Sequence, residues 1–182
     1  MKKFVIIIMA ILFTVSSFAQ DKHAVSEDKN SFKINTLGLI FGVGSLFYER
    51  ELSDMTSAQL GLAYLSYKFD DTKFSGLILT PEFRIYPKKN AIDGVYVAPY
   101  VRYQNYSLEN KPTESKGTLT VIGGGLLLGR QWITNSGFTM DLFFGGHYGD
   151  SNVKVESGTN SFDIDLFSGF RTRIGFALGF SF

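Results

Sequence analysis

His147 stands in "GGHYGDS", with Asp150 and Ser151 close behind it. An imidazole, a carboxylate and a hydroxyl are the three groups a hydrolytic relay needs, provided that all three converge on one atom. The spacing argues against convergence. The position two residues beyond the histidine is Gly149 rather than a nucleophile, and Ser151 with Asp150 nearby keeps a hydrolytic relay open only as the lesser reading. A histidine held by hydrogen bonds inside the fold is the simpler reading. The other histidine, His23, lies in a polar N-terminal stretch, so no two imidazoles stand at ligand spacing and no metal site is expected. Asp150, Glu156, Asp163 and Asp165 lack the glycine-punctuated pattern of a calcium loop and read as solvated loop charges.

A second set of residues carries electrostatic rather than nucleophilic chemistry. Glu49, Glu51, Glu82 and Asp141 stand against Arg84, Arg102 and Arg173, four acids to three cations, and each lies within an otherwise apolar, alternating segment. Charges so placed must be sheltered together and paired, because an isolated buried charge is very costly. The elements that hold them decide whether they meet.

Those elements are strands. In "RIGFALGFSF", Ile174, Phe176, Leu178, Phe180 and Phe182 share one face, and Arg173, Gly175, Ala177, Gly179 and Ser181 the other. "GLILTPEFRIYP" sets Leu77, Leu79, Pro81, Phe83 and Ile85 against Ile78, Thr80, Glu82, Arg84 and Tyr86. "VYVAPYVRYQNY" and "GFTMDLFFGGHY" repeat the arrangement. Weaker strands are expected at about 32–41, 45–52, 58–69 and 118–132, the last containing Gly123, Gly124 and Gly125, which mark a bulge or a close contact inside the sheet. The fold class is therefore all-β, an eight-stranded antiparallel up-and-down barrel.

Connections alternate in length. "SDMT", "KKNAIDG" and "TNSG" are short, whereas "DDTKFS", "ENKPTESKG" and the stretch 149–170 are longer and polar, as in a transmembrane barrel with short periplasmic turns and long outer loops. A soluble barrel of the lipocalin kind would need a polar exterior. Here the face bearing charges is too sparse for that, and the other is almost purely Leu, Val, Phe and Ile. The charges should point inward and fill a closed, ion-paired interior. Tyr48, Tyr86, Tyr103, Trp132 and Tyr148 fall near strand ends, where aromatic girdles sit at the two membrane interfaces, although such rings could equally pack inside.

Composition agrees. The 182 residues suit one domain, contain no cysteine, and include 19 Gly and 18 Phe. The opening "MKKFVIIIMAILFTVSSFAQ" has the three-part layout of a secretory signal peptide spanning 1–19, and its apolar run is short for an uncleaved anchor. Residues 20–31 read as a flexible periplasmic lead-in and 32–182 as the barrel. Of 18 Lys and Arg, two (Lys2 and Lys3) leave with the signal, and the rest stand against 17 Asp and Glu, a balance that does not recommend nucleic acid. Export by the Sec route to the outer membrane of a Gram-negative bacterium is expected, with no cofactor.

"INTLGLIFGVGSLFYERELSDMTSAQLGLAYLSY", with Tyr48-Glu49-Arg50 leading into an "LSD" turn, and the later "LTPEFRIYP" and "GRQW", resemble a family of small outer-membrane barrels catalogued as a domain of unknown function. The resemblance implies an eight-stranded barrel of OmpA-like or OmpX-like architecture and transfers no activity. The closing strand, with Phe176, Leu178, Phe180 and Phe182 on one face, resembles the signal read by the barrel-assembly machinery. The expected partners are that machinery, the lipid bilayer and lipopolysaccharide. The expected role is structural or loop-mediated interaction without catalysis. Alternatives are a barrel that binds or transports a small solute or hydrophobic ligand and, third, a lipid A-modifying enzyme. Membrane-embedded lipid A deacylases set His and Ser two residues apart on a strand, a pairing absent around His147.

Overall fold

The computed structural model describes residues 29–69, 72–88, 90–110, 115–157 and 168–182. The signal segment, His23 and most of the lead-in, and Asp163 and Asp165 lie outside the described residues. Eight antiparallel strands close in sequence order into a barrel: β1 Asn30–Asn35, β2 Val43–Ser53, β3 Thr56–Phe69, β4 Thr72–Ile85, β5 Gly94–Asn110, β6 Ser115–Ile133, β7 Phe138–Ser157 and β8 Gly169–Ser181. β1 closes the ring by pairing with β8, from Ser31 opposite Ser181 to Asn35 opposite Ala177. Asn30 and Phe182 exchange backbone hydrogen bonds of 3.0 and 2.9 Å, so the terminal Phe is part of the seam. Among the described residues no helix is long and apolar enough to cross a membrane.

Several boundaries differ from expectation, each for a local reason. The first strand stops at Asn35 instead of reaching Phe41, because the Asn35 side chain accepts the Gly38 amide at 3.1 Å and caps a one-turn helix, α1 (Thr36–Ile40). Asn30 and Ser31, assigned to the lead-in, already belong to β1. "DDTKFS" and "ENKPTESKG" are largely strand, since β4 begins at Thr72, β5 runs to Asn110 and β6 starts at Ser115. β7 likewise continues through "GDSNVKVES", where period-two alternation persists within a stretch expected to be loop. β5, β6 and β7, at 17, 19 and 20 residues, thus form a tall wall, while β1 has only 6. A bilayer needs about 9–11 tilted residues per strand, so the tall wall extends past that span and β1 falls short of it.

The two faces are chemically opposite. Outward positions such as Leu62, Leu79, Phe83, Val97, Val101, Leu126, Phe144 and Ile174 are large, apolar and between 39% and 60% exposed. On β4 this run lasts from Leu77 to Ile85, which at about 3.3 Å per residue and a tilt near 40° makes a band roughly 20–25 Å tall. A monomer in water rarely leaves contiguous apolar surface of that extent uncovered.

Inside, aromatic rings are seated on glycines. A Cβ on Gly175 would lie 2.1 Å from Phe143 Cζ, one on Gly129 2.4 Å from Tyr96 Cζ, and one on Gly61 2.9 Å from Phe47 Cδ1. Each inward ring therefore fills the notch left by a missing side chain, which is how a narrow barrel packs bulky groups without widening. Gly123 and Gly125 instead let the β7 backbone come close: added Cβ atoms would lie 2.7 Å from the Tyr148 carbonyl oxygen and 2.0 Å from that of Gly146, and the one on Gly123 also 3.0 Å from His147 Cδ2. The pairing register is unbroken through Gly123–Gly125, so the triplet marks close contact and not a bulge.

Candidate functional site

The inward polar residues form a layer in the half of the barrel nearest the chain termini. Its centre is a cation that the sequence reading overlooked. Lys33 projects from β1 to Glu49 Oε2 at 2.6 Å and Asp141 Oδ2 at 3.0 Å, and also donates to Gln131. Arg84 from β4 meets the same carboxylates, Asp141 Oδ2 at 2.9 Å and Glu49 Oε2 at 3.2 Å, and turns its other nitrogens to Glu82 Oε2 at 3.2 and 3.3 Å. Arg173 from β8 completes the set with Glu82 Oε1 at 2.7 Å. Three cations face three carboxylates, and the layer is neutral.

Hydroxyls and amides satisfy what the ion pairs leave. Ser57 and Tyr86 donate to Glu49 Oε1 at 2.5 and 2.7 Å, Tyr96 donates to Asp141 Oδ1 at 2.8 Å, and Gln59 to Glu82 Oε2 at 2.9 Å. Gln131 Nε2 donates to the Ile92 carbonyl at 2.6 Å, tying the layer to the β4–β5 turn. The Arg84 guanidinium also stacks 4.2 Å from the Tyr96 ring centroid. Lys33, Glu49, Arg84 and Asp141 are all 0% exposed. Such a network is tolerated only when its members are paired and hydrogen-bonded, as these are.

Of the charges expected here, Glu49, Glu82, Arg84, Asp141 and Arg173 come together. Glu51 does not: it is half-buried beside the register shift between Glu51 and Ser53 near the β2–β3 turn, and has no ion pair among the described residues. Arg102 faces the interior from β5 but stands above the layer without a carboxylate partner among the described residues. Tyr86, expected at a membrane interface, is 1% exposed and inside; it shares the parity of Glu82 and Arg84 on the β4 line, and its hydroxyl belongs to Glu49. Tyr48, Tyr103 and Tyr148 are exposed on the outer surface, and Trp132 lies half-buried there under Arg130, 5.0 Å away. Phe180 and Phe182 are exposed outward, with Phe176 and Leu178 half-buried on the same face.

Lys33 was findable. Ser31, Lys33 and Asn35 alternate with Phe32 and Ile34, but the strand is too short to declare itself. The interior is also less uniformly polar than expected. Beyond the ionic layer, in the half farther from the termini, Ala63, Ile78, Tyr106, Leu108, Leu119 and Val121 form a second, apolar cluster.

His147 faces inward as expected, 3.1 Å from the Tyr100 hydroxyl through Nδ1. Ser151 projects inward four residues further along β7, whereas Asp150 is exposed on the outer surface. The three groups of the relay do not converge.

A closed eight-stranded up-and-down barrel, apolar outside with an ionic layer within, defines the class: the fold is that of outer membrane proteins. The chain belongs to the family described as "Protein of unknown function (DUF3575)", which it matches over residues 4–161. A major outer membrane protein from Thermus thermophilus, solved by crystallography, has a similar fold: TM-score 0.54, 14% identity, 84% of this chain and 99% of that one covered. No curated protein matches the sequence.

Proposed function

We propose that the protein is an integral outer-membrane barrel of a Gram-negative bacterium, exported by the Sec route, with a structural or loop-mediated interaction role and without catalysis. One observation carries this reading: every strand turns large apolar side chains outward, while inside a neutral network of six ionised side chains links β1, β2, β4, β7 and β8. The first feature fits hydrocarbon, and the second fits a wall or anchor and not a channel. The same organisation, ionised groups in and aliphatic side chains out, is opposite to that of a water-soluble carrier.

The fold of the Thermus protein and the family membership support the location. The bilayer, with lipopolysaccharide in its outer leaflet, is the partner the outer band would meet. The assembly machinery is the partner for the closing strand, whose Phe176, Leu178, Phe180 and Phe182 share the lipid side. Absence of catalysis is supported by the engagement of His147 with Tyr100 and the outward aim of Asp150.

Reconstitution into planar bilayers tests the reading. The expected result is a quiet baseline, with unboiled protein migrating faster than boiled protein on a gel. Steady unitary conductance steps would replace the sealed barrel by a channel. A stable detergent-free monomer would remove the membrane altogether.

A further inference from the structure

The barrel wall is not laddered to its full height. β1 ends at Asn35, opposite Ala177, while β8 continues up to Gly169; the stretch of β8 from Gly169 to Phe176 pairs with β7 on one side and has no strand partner on the other among the described residues. β2 likewise loses its β1 partner above Leu46. Only α1 stands in this interval among the described residues, held at its base by Thr36 Oγ1 donating to the Phe176 carbonyl at 2.9 Å. The interval begins within the apolar band, because Phe176 and Ile174 belong to that band. Open sheet edges are tolerated in hydrocarbon only where another part of the protein covers them or where they line a polar cavity.

Behind the interval is an excess of positive charge. Arg171 and Arg173 project inward from the unladdered stretch of β8. His147 lies opposite Arg171 in register, and Arg102 reaches in from β5, close enough to feel the charge of Arg173. Arg173 is spent on Glu82, but Arg102 and Arg171 have no ion pair or hydrogen bond among the described residues. Both are half-buried although they face inward, whereas Lys33 and Arg84, below, are fully buried. Tyr100, packed under Arg173 at 4.9 Å, forms the floor. Unpaired cations at membrane depth are costly and mark a site whose counter-charge comes from elsewhere.

We infer that Arg102 and Arg171 bind the head of an anionic amphiphile, a carboxylate or phosphate carried on an acyl chain, which reaches them from the outer leaflet through the β8–β2 interval. The chain of the amphiphile stays among the exposed apolar side chains flanking that interval, Ile174 on β8 and Ile40 and Phe41 at α1. This inference rests on the membrane-embedded reading above. The ionic layer lies below the site, so binding here does not require a conducting pore.

The test uses protein purified from the membrane fraction in dodecyl maltoside, checked first for heat-modifiable migration so that loss of the barrel is recognised separately. cis-Parinaric acid serves as the fluorescent probe. Palmitate, lysophosphatidic acid and uncharged monopalmitoylglycerol serve as competitors. Displacement by palmitate, by lysophosphatidic acid or by both, with the neutral lipid at least tenfold weaker, is the expected result; the stronger competitor identifies the head as carboxylate or phosphate. The double variant R102Q/R171Q, still heat-modifiable, should lose at least tenfold in affinity. Equal competition by the neutral lipid overturns the inference without recourse to any variant, and so does unchanged affinity in the double variant.

Discussion

Lys33 Nζ lies 3.0 Å from Asp141 Oδ2, although the two residues are separated by 108 positions in the chain. β8 stands between their two strands, with Lys33 opposite Gly179 and Asp141 opposite Ala177, so the contact passes over the inner face of β8 and spans the closing seam. It forms only when the barrel is closed, and it couples closure of the seam to neutrality of the interior.

Removing that cation should therefore be expensive. Lys33→Met leaves Glu49 and Asp141 sharing Arg84 alone, and breaking a buried pair in this way costs about 3–5 kcal/mol. The urea midpoint of the barrel refolded into vesicles should fall accordingly. Lys33→Met combined with Asp141→Leu should cost less than the two single changes summed, since the second removes the orphaned charge. Strict additivity would show that the two groups do not interact.

The notch packing makes a steric prediction. Gly175→Ala drives a methyl into Phe143, whose ring passes 2.1 Å from the new Cβ position. Overpacking of this kind costs about 1–3 kcal/mol. Phe143→Leu in the same chain should restore part of the loss. Thermal midpoints from the gel-mobility shift, compared across the single and double variants, check it, and a harmless Gly175→Ala would contradict the packing.

The outer face can be probed by charge. Leu126 is 60% exposed on β6 opposite Pro99, well inside the apolar band, whereas Ser66 is exposed near the far end of β3. Leu126→Arg should destabilise the barrel in vesicles by about 2–4 kcal/mol, and Ser66→Arg by close to nothing, following the depth dependence for lipid-facing arginine. Equal and small effects at both positions would mean that the band faces water.

The final residue has two separable tasks. The Phe182 backbone pairs with Asn30, while its ring is exposed outward. Phe182→Ala keeps the backbone bonds, so refolding into detergent should be nearly unchanged while the amount of barrel assembled in cells drops several-fold. Matching yields in the cell and in detergent would remove the ring from any role in assembly.

Strand faces were legible wherever alternation ran long. On β4, Glu82 and Arg84 are separated from Leu79, Phe83 and Ile85 by parity alone, and the structure places every one of them on the expected side. Tyr86 carries the same parity, and parity, not its place at a strand end, decides that it lies inside. Lys33 is hidden in the sequence because six residues give alternation little length in which to show, and the exclusion of Glu51 is hidden because a register shift is not written in residue types.

The sequence by itself determined the alternation, and with it eight strands, an apolar exterior and inward charges, because a side chain's face follows from its position along one strand. Which charges meet was decided by the closed sheet. Lys33, Glu49, Arg84 and Asp141 come from four strands, and their distances depend on stagger between strands and on the narrow lumen, quantities that belong to the assembled barrel and to no single segment. The gap beside β8 has the same origin: Asn35 ends β1 by capping a helix turn, but only ring closure turns that ending into an interval in the wall.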